Sequence, residues 1–290
     1  LSPDQEPTVH GEGGATLMLT KVEVRTLTGM MLSLPLDEVS EGFIVEEIEG
    51  LDPVKATLVT SSFANLDGSQ HHSSRRETRN ILLTIGLEPD YVVNTVQDLR
   101  MTLYEYFMTK ASVSLRFFLD SGLTVDISGV VESFDAQLFT KEPRVTISVM
   151  CFDPDFVALT AIEVEGDTVD DLTEFTIAYD GTVETGIVFV LNVDRILTEF
   201  TIYHRPPDDL VRTLDFAADL EADDVVTINT IPGSKVVTLL RAATLSSILY
   251  GMSPQSTWIQ LEKGDNHLRV FAEGLPIPFT ISYIPRYGGL

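Results

Sequence analysis

One stretch of this 290-residue chain clusters basic and imidazole side chains. The stretch from Ser69 to Thr78 holds His71, His72, Arg75 and Arg76, with Arg79 just beyond it and the tight-turn pair Asp67-Gly68 just before. Adjacent histidines on an extended chain point to opposite faces, and no His or Cys lies three to five positions away, so a zinc-type ligand set is disfavoured. The planar fork of arginine suits bidentate pairing to carboxylates across an interface. The segment is therefore read as a polar loop reaching a neighbouring subunit or partner through Asp67, Gly68, His71, His72, Arg75, Arg76 and Arg79. An ion pair inside the same domain and a contact to nucleic acid stay open for the arginines.

Other chemistry is thinner. Acidic pairs recur (Glu46-Glu47, Asp170-Asp171, Asp208-Asp209, Asp223-Asp224). A glycosidase needs a defined carboxylate separation in a cleft, and a calcium loop needs spaced aspartates followed by glycine; neither pattern is present. Gly264-Asp265-Asn266 and Asp180-Gly181 read as turns. The chain lacks a nucleophile elbow, a phosphate-binding glycine loop, a dinucleotide fingerprint and a His-Glu-x-x-His pair. No catalytic residue, metal or cofactor is assigned. The single cysteine, Cys151, rules out an internal disulfide and lies in the alternating run Val145, Ile147, Val149, Cys151, as a buried thiol would.

Composition narrows the class of partner. A net charge of −25, from 44 acids against 19 bases, repels nucleic acid and anionic membrane surfaces. An apolar content of 44% is that of a folded globular protein, and no apolar run is long enough to span a bilayer. Residues 1–15 have neither a basic start nor an apolar core; they read as a flexible leader rather than a signal peptide.

The elements that must position these residues are almost all strands. Thr16 to Val24 alternates, Met31 to Leu36 is short, and Phe43 to Ile48 runs into the turn Gly50-Leu51-Asp52-Pro53. Lys55 to Thr60 alternates again, and Asn80 to Leu87 closes the unit. One helix is expected over Val93 to Lys110, with Asn94 as N-cap, Gln97 completing a capping box, and Leu99, Leu103 and Phe107 on one face. Ser112 to Leu119, the turn Asp120-Ser121-Gly122 and the run from Leu123 form a hairpin, and Arg144 to Phe152 is the last strand before Asp153-Pro154-Asp155. The second half reads as hairpins: Leu172–Tyr179 with Gly186–Val193, Asp224–Asn229 with Lys235–Leu240, and Trp258–Glu262 with His267–Phe271. Short strands at regular spacing predict a β-sandwich. The fold class is thus mainly β, with an α+β first domain over residues 16–155 and a sandwich over 156–290. Trp258 is read as a core residue, with stacking on a pyranose ring as the alternative.

The run Ile44 to Ile48, Gly50-Leu51-Asp52-Pro53-Val54, then Asp67-Gly68-Ser69, then Arg75/Arg76 to Arg79-Asn80-Ile81 resembles the N-terminal domain of the distal tail proteins of long, flexible-tailed bacteriophages. In the second half, Tyr179-Asp-Gly-Thr-Val-Glu-Thr-Gly186, Asp224 to Lys235 and Lys263 to Val270 resemble the C-terminal domain of that family. The resemblance implies a galectin-like or carbohydrate-module-like sandwich. It also implies a structural, non-enzymatic virion protein, assembled in the host cytoplasm, whose six copies form a ring at the tail tip. The implied partners are the tail tube protein, the central hub or baseplate protein, and fibre or receptor-binding proteins, with no sequence-specific nucleic-acid binding and no membrane insertion. A carbohydrate-binding adhesin acting through the sandwich is the alternative. A ring that passes DNA is expected to line its lumen with carboxylates, here Glu46, Glu47 and Glu49.

Overall fold

A computed structural model describes residues 19–62, 67–137 and 139–290. The leader expected over residues 1–15 lies outside them. In chain order the first half runs β1 (Leu19–Thr26), β2 (Met31–Pro35), β3 (Phe43–Glu49), β4 (Ala56–Ser61), β5 (Gln70–Arg76), β6 (Arg79–Leu87), α1 (Val96–Phe107), β7 (Ser112–Leu119), β8 (Thr124–Gln137), β9 (Arg144–Cys151) and β10 (Phe156–Ala158). The second continues β11 (Ile162–Asp167), β12 (Phe175–Tyr179), β13 (Thr185–Gly186), β14 (Val188–Asn192), β15 (Leu197–Arg205), β16 (Arg212–Leu220), β17 (Val225–Asn229), β18 (Val236–Arg241), β19 (Thr244–Ser247), β20 (Gln260–Leu261), β21 (Gly264–Phe271), β22 (Pro278–Tyr283) and β23 (Arg286–Tyr287). The protein is mainly β.

The first sheet has the order β2-β1-β7-β8-β9-β6-β3, and it curls until its edge strands β2 and β3 approach each other. Period-two alternation explains its interior. Leu115 and Phe117 of β7, Val145, Ile147 and Val149 of β9, and Ile81, Leu83 and Ile85 of β6 all turn inward and are buried. The helix lays Leu99, Leu103 and Phe107 on this core. It starts later than the sequence suggests. Thr95, not Asn94, caps it: the Thr95 hydroxyl accepts from the Asp98 amide (3.3 Å) and the Asp98 carboxylate accepts from the Thr95 amide (2.9 Å). Asn94 is occupied elsewhere, its side-chain oxygen accepting from the Asp90 amide at 3.0 Å.

The second core lies between two sheets, β11-β22-β14-β17-β18-β19 and β12-β21-β15-β16. Phenylalanines from both faces meet in it: Phe189 lies 6.0 Å from Phe200, and Phe279 lies 5.7 Å from Phe175. Burying each such ring contributes roughly 1.5–3 kcal/mol. Pairing departs from the expected hairpins in two places. β12 pairs with β21 while β14 pairs with β17 and β22, so the strands either side of Asp180-Gly181 enter different sheets. β20 pairs with β13 rather than with β21. Local turn chemistry marks a reversal but not which strand is taken as partner, and a sandwich crosses between its sheets at such turns.

Candidate assembly surface and interdomain junction

The segment expected to be a polar loop is largely a strand. β5 pairs antiparallel with β4, from Ala56–Arg76 to Ser61–Gln70, and the two form a ribbon outside the three main sheets. Its residues are exposed on both faces, so no apolar alternation betrays it. His71 and His72 project from it, and Ser61 Oγ lies 2.6 Å from His72 Nε2. Arg75 keeps a long 3.9 Å contact to Glu77 and is 78% exposed. Asp67 and Gly68 are exposed in the connecting turn, where Gly68 takes φ +93°. Leu58 and Val59, 61% and 51% exposed, place one apolar side chain on each face of the ribbon. A two-stranded ribbon with no core of its own is marginal alone.

Two of the three clustered arginines are engaged within the chain. Arg79 was expected at an interface; instead it is buried inside the chain at 1% exposure. Its guanidinium donates to the carbonyls of Pro154 (2.7 Å), Asp52 (2.7 Å), Gly50 (2.5 Å) and Gly288 (2.6 Å), and it sits 4.4 Å over the Phe156 ring. Register explains this: Arg79 opens β6 opposite Cys151, on the inward side shared with Ile81. Burial pulls the guanidinium below its usual pKa. The neighbouring Cys151 thiol is pushed up to about 11, also by burial, which leaves it protonated and inert.

Arg76, still partly exposed, realises the alternative of an internal ion pair. It makes a bidentate pair with Asp155, whose side chain is only 3% exposed. Arg286, 131 residues further on, donates to the same carboxylate through Nε (3.2 Å) and Nη2 (3.1 Å), and to Asp153 at 2.6 Å. The chain end then returns to the first sheet. β23 pairs with β10, β10 pairs with β8, Tyr287 enters the first core, and the Leu290 amide donates to the Leu51 carbonyl at 3.1 Å. Asp155 and Arg286 were missed at the sequence level, where Asp153-Pro154-Asp155 registered only as a strand stop. No local signal links residues so far apart.

The carboxylates expected to line a lumen stand together on the open edge strand. A bulge between Val45 and Glu47 sets the register of β3, and Glu46, Glu47 and Glu49 are all exposed. Glu46 lies 3.4 Å from Arg144. Charge on an edge strand also guards it against unwanted pairing. Trp258 is half-buried against the second core, with Lys235 Nζ 5.4 Å from its ring centroid. Among the described residues no group of three His, Cys, Asp or Glu is placed to hold a metal ion, and no helix is long and apolar enough to cross a membrane.

Residues 180–287 match the family model of the siphovirus-type tail component, C-terminal domain. No curated protein matches the sequence. Among solved structures, the Dit protein of phage SPP1, described as a paradigm of the hub adsorption apparatus in phages infecting Gram-positive bacteria, superposes with a TM-score of 0.66. It is 18% identical and covers 91% of this chain and 98% of its own. A chain of the phage P2 baseplate, in its activated conformation with Ca, is 10% identical over 94% of this chain and 100% of its own, with a TM-score of 0.42. The second core thus carries the siphovirus-type tail component C-terminal domain over residues 180–287, and the fold running through both halves is similar to that of the SPP1 Dit protein.

Proposed function

We propose that the protein forms a hexameric ring at the tail tip, between the tail tube and the central hub or baseplate protein, with fibre or receptor-binding proteins held at its periphery. The ring is built by the first half, residues 16–155, while the sandwich of residues 156–290 faces outward as a galectin-like module. The observation that carries this reading is the β4–β5 ribbon, which stands outside the main sheets and exposes Leu58, Val59, His71, His72 and Arg75. It is locally basic in a chain of net charge −25, so it complements the carboxylate-rich surface of a second copy. A contact between two different patches is heterologous, and rotation closes it into a ring. Glu46, Glu47 and Glu49 line the lumen and keep passing DNA from adhering. The protein is taken to act by assembly in the virion, after synthesis in the host cytoplasm, without catalysis.

The test is the mass of the full chain in solution by light scattering, alone and with tail tube protein. A species six times the chain mass is expected. A chain carrying Leu58→Ser, Val59→Ser and Arg75→Glu should stay monomeric with an unchanged melting temperature, because these side chains touch nothing in their own cores. Normal ring formation by this variant would refute the role of the ribbon. Arg76 and Arg79 are unsuited to the test, since changing them breaks the junction itself.

A further inference from the structure

The outer face of the sheet β12-β21-β15-β16 carries a groove that the assembly role does not use. Outward-facing residues alternate with core residues along these strands, which places Glu199, Thr201 and Tyr203 of β15 beside Asp215 of β16 and Phe271 of β21. A single turn of 3-10 helix, Leu249–Gly251, folds against β16 and raises Tyr250, 81% exposed, as a wall. Ser253 fastens that wall by donating its amide to the Asp215 carbonyl at 3.0 Å. The space enclosed is about 540 Å³, within the range of small-ligand sites.

The chemistry of the lining selects the ligand. The Asp215 carboxylate is held in place by the Thr201 hydroxyl (2.9 Å) and more loosely by that of Thr213 (3.4 Å), and it retains free lone pairs. Glu199 stands exposed beside it. Among the described residues no Lys, Arg or His lines the groove. The Arg269 guanidinium is held 3.9 Å over the Tyr203 ring and donates to the Asp171 carbonyl. Fixed acceptors without cations favour a ligand rich in hydroxyl donors and repel phosphate-bearing polymers. Aromatic rings at the wall and floor favour a ligand with flat apolar faces. A pyranose has both, polar at its edge and apolar on its faces. A cationic peptide would share the carboxylates but has no use for a flat floor beside an aromatic wall.

We propose that this groove binds neutral hexose oligosaccharides, with Tyr250 stacking on a sugar face and Asp215 and Glu199 accepting from its hydroxyls. The stacking residue is therefore Tyr250, and Trp258 remains a core side chain.

The experiment titrates the full chain with maltohexaose, cellohexaose and a galactan hexamer by calorimetry, with hexalysine as the cationic probe. At least one oligosaccharide should bind with a Kd between about 10 μM and 10 mM. Tyr250→Ala should weaken it about tenfold or more at an unchanged melting temperature. Asp215→Asn, which keeps the shape, should weaken it similarly, and Trp258→Phe should not. Failure of all three sugars to bind, undiminished binding by both groove variants, or binding of hexalysine alone would each overturn the proposal.

Discussion

Replacing Asp155 with alanine should release the two halves of the molecule from each other. The carboxylate is 3% exposed and is shared by Arg76 and Arg286, one from each half. Removing one partner of a buried charge pair costs roughly 3–5 kcal/mol. The guanidiniums here are 38% and 24% exposed, and Arg286 keeps Asp153, so water and that second acid recover part of the loss. The expected cost is therefore near the lower bound, about 2–3 kcal/mol. It falls on the contact between the halves rather than on either core. Thermal unfolding of the full chain should split into two transitions, and the tail from Ile284 to Leu290 should become open to carboxypeptidase. Asp153→Ala is the control: its carboxylate is 58% exposed, so its loss should cost less than about 1 kcal/mol. If Asp155→Ala proves no more damaging than Asp153→Ala, or if the tail stays protected, the junction is held by backbone pairing of β10 with β23 and the ion-pair argument fails.

Two further outcomes follow from single sites. His204 is fully buried, its Nδ1 has no partner among the described residues, and burial depresses its pKa below the ordinary 6.5. Below that pH the unfolded chain takes up a proton that the folded chain refuses, so stability is present above about 6.5 and is lost as pH falls toward the folded value. His204→Gln should flatten the loss in unfolding free energy between about pH 7 and pH 5, and equal slopes in variant and parent would contradict it. The β18–β19 hairpin turns through Ala242 and Ala243 at φ +47° and +63°, a left-handed pair that normally calls for Asn-Gly. Ala243→Gly should raise stability by about 0.5–1 kcal/mol in urea unfolding; a loss would show that the turn is not strained.

The cores were legible because they are written in local period. Alternation in Val145 to Cys151 and helical spacing of Leu99, Leu103 and Phe107 each name a buried face, and the structure buries those residues. The hairpins β7–β8 and β17–β18 were legible for the same reason, since a tight turn leaves the returning strand one partner. What alternation cannot carry is the choice of a distant partner. It could not tell that β12 would take β21, or that Arg286 would cross back to Asp155. It could not distinguish Arg75, which faces water, from Arg76, which faces an acid, or from Arg79, which lies under four carbonyls. These residues share a side chain and a neighbourhood in the sequence. Their roles diverge because strand register and the returning chain end decide which guanidinium is desolvated, and desolvation decides what a charge must pair with.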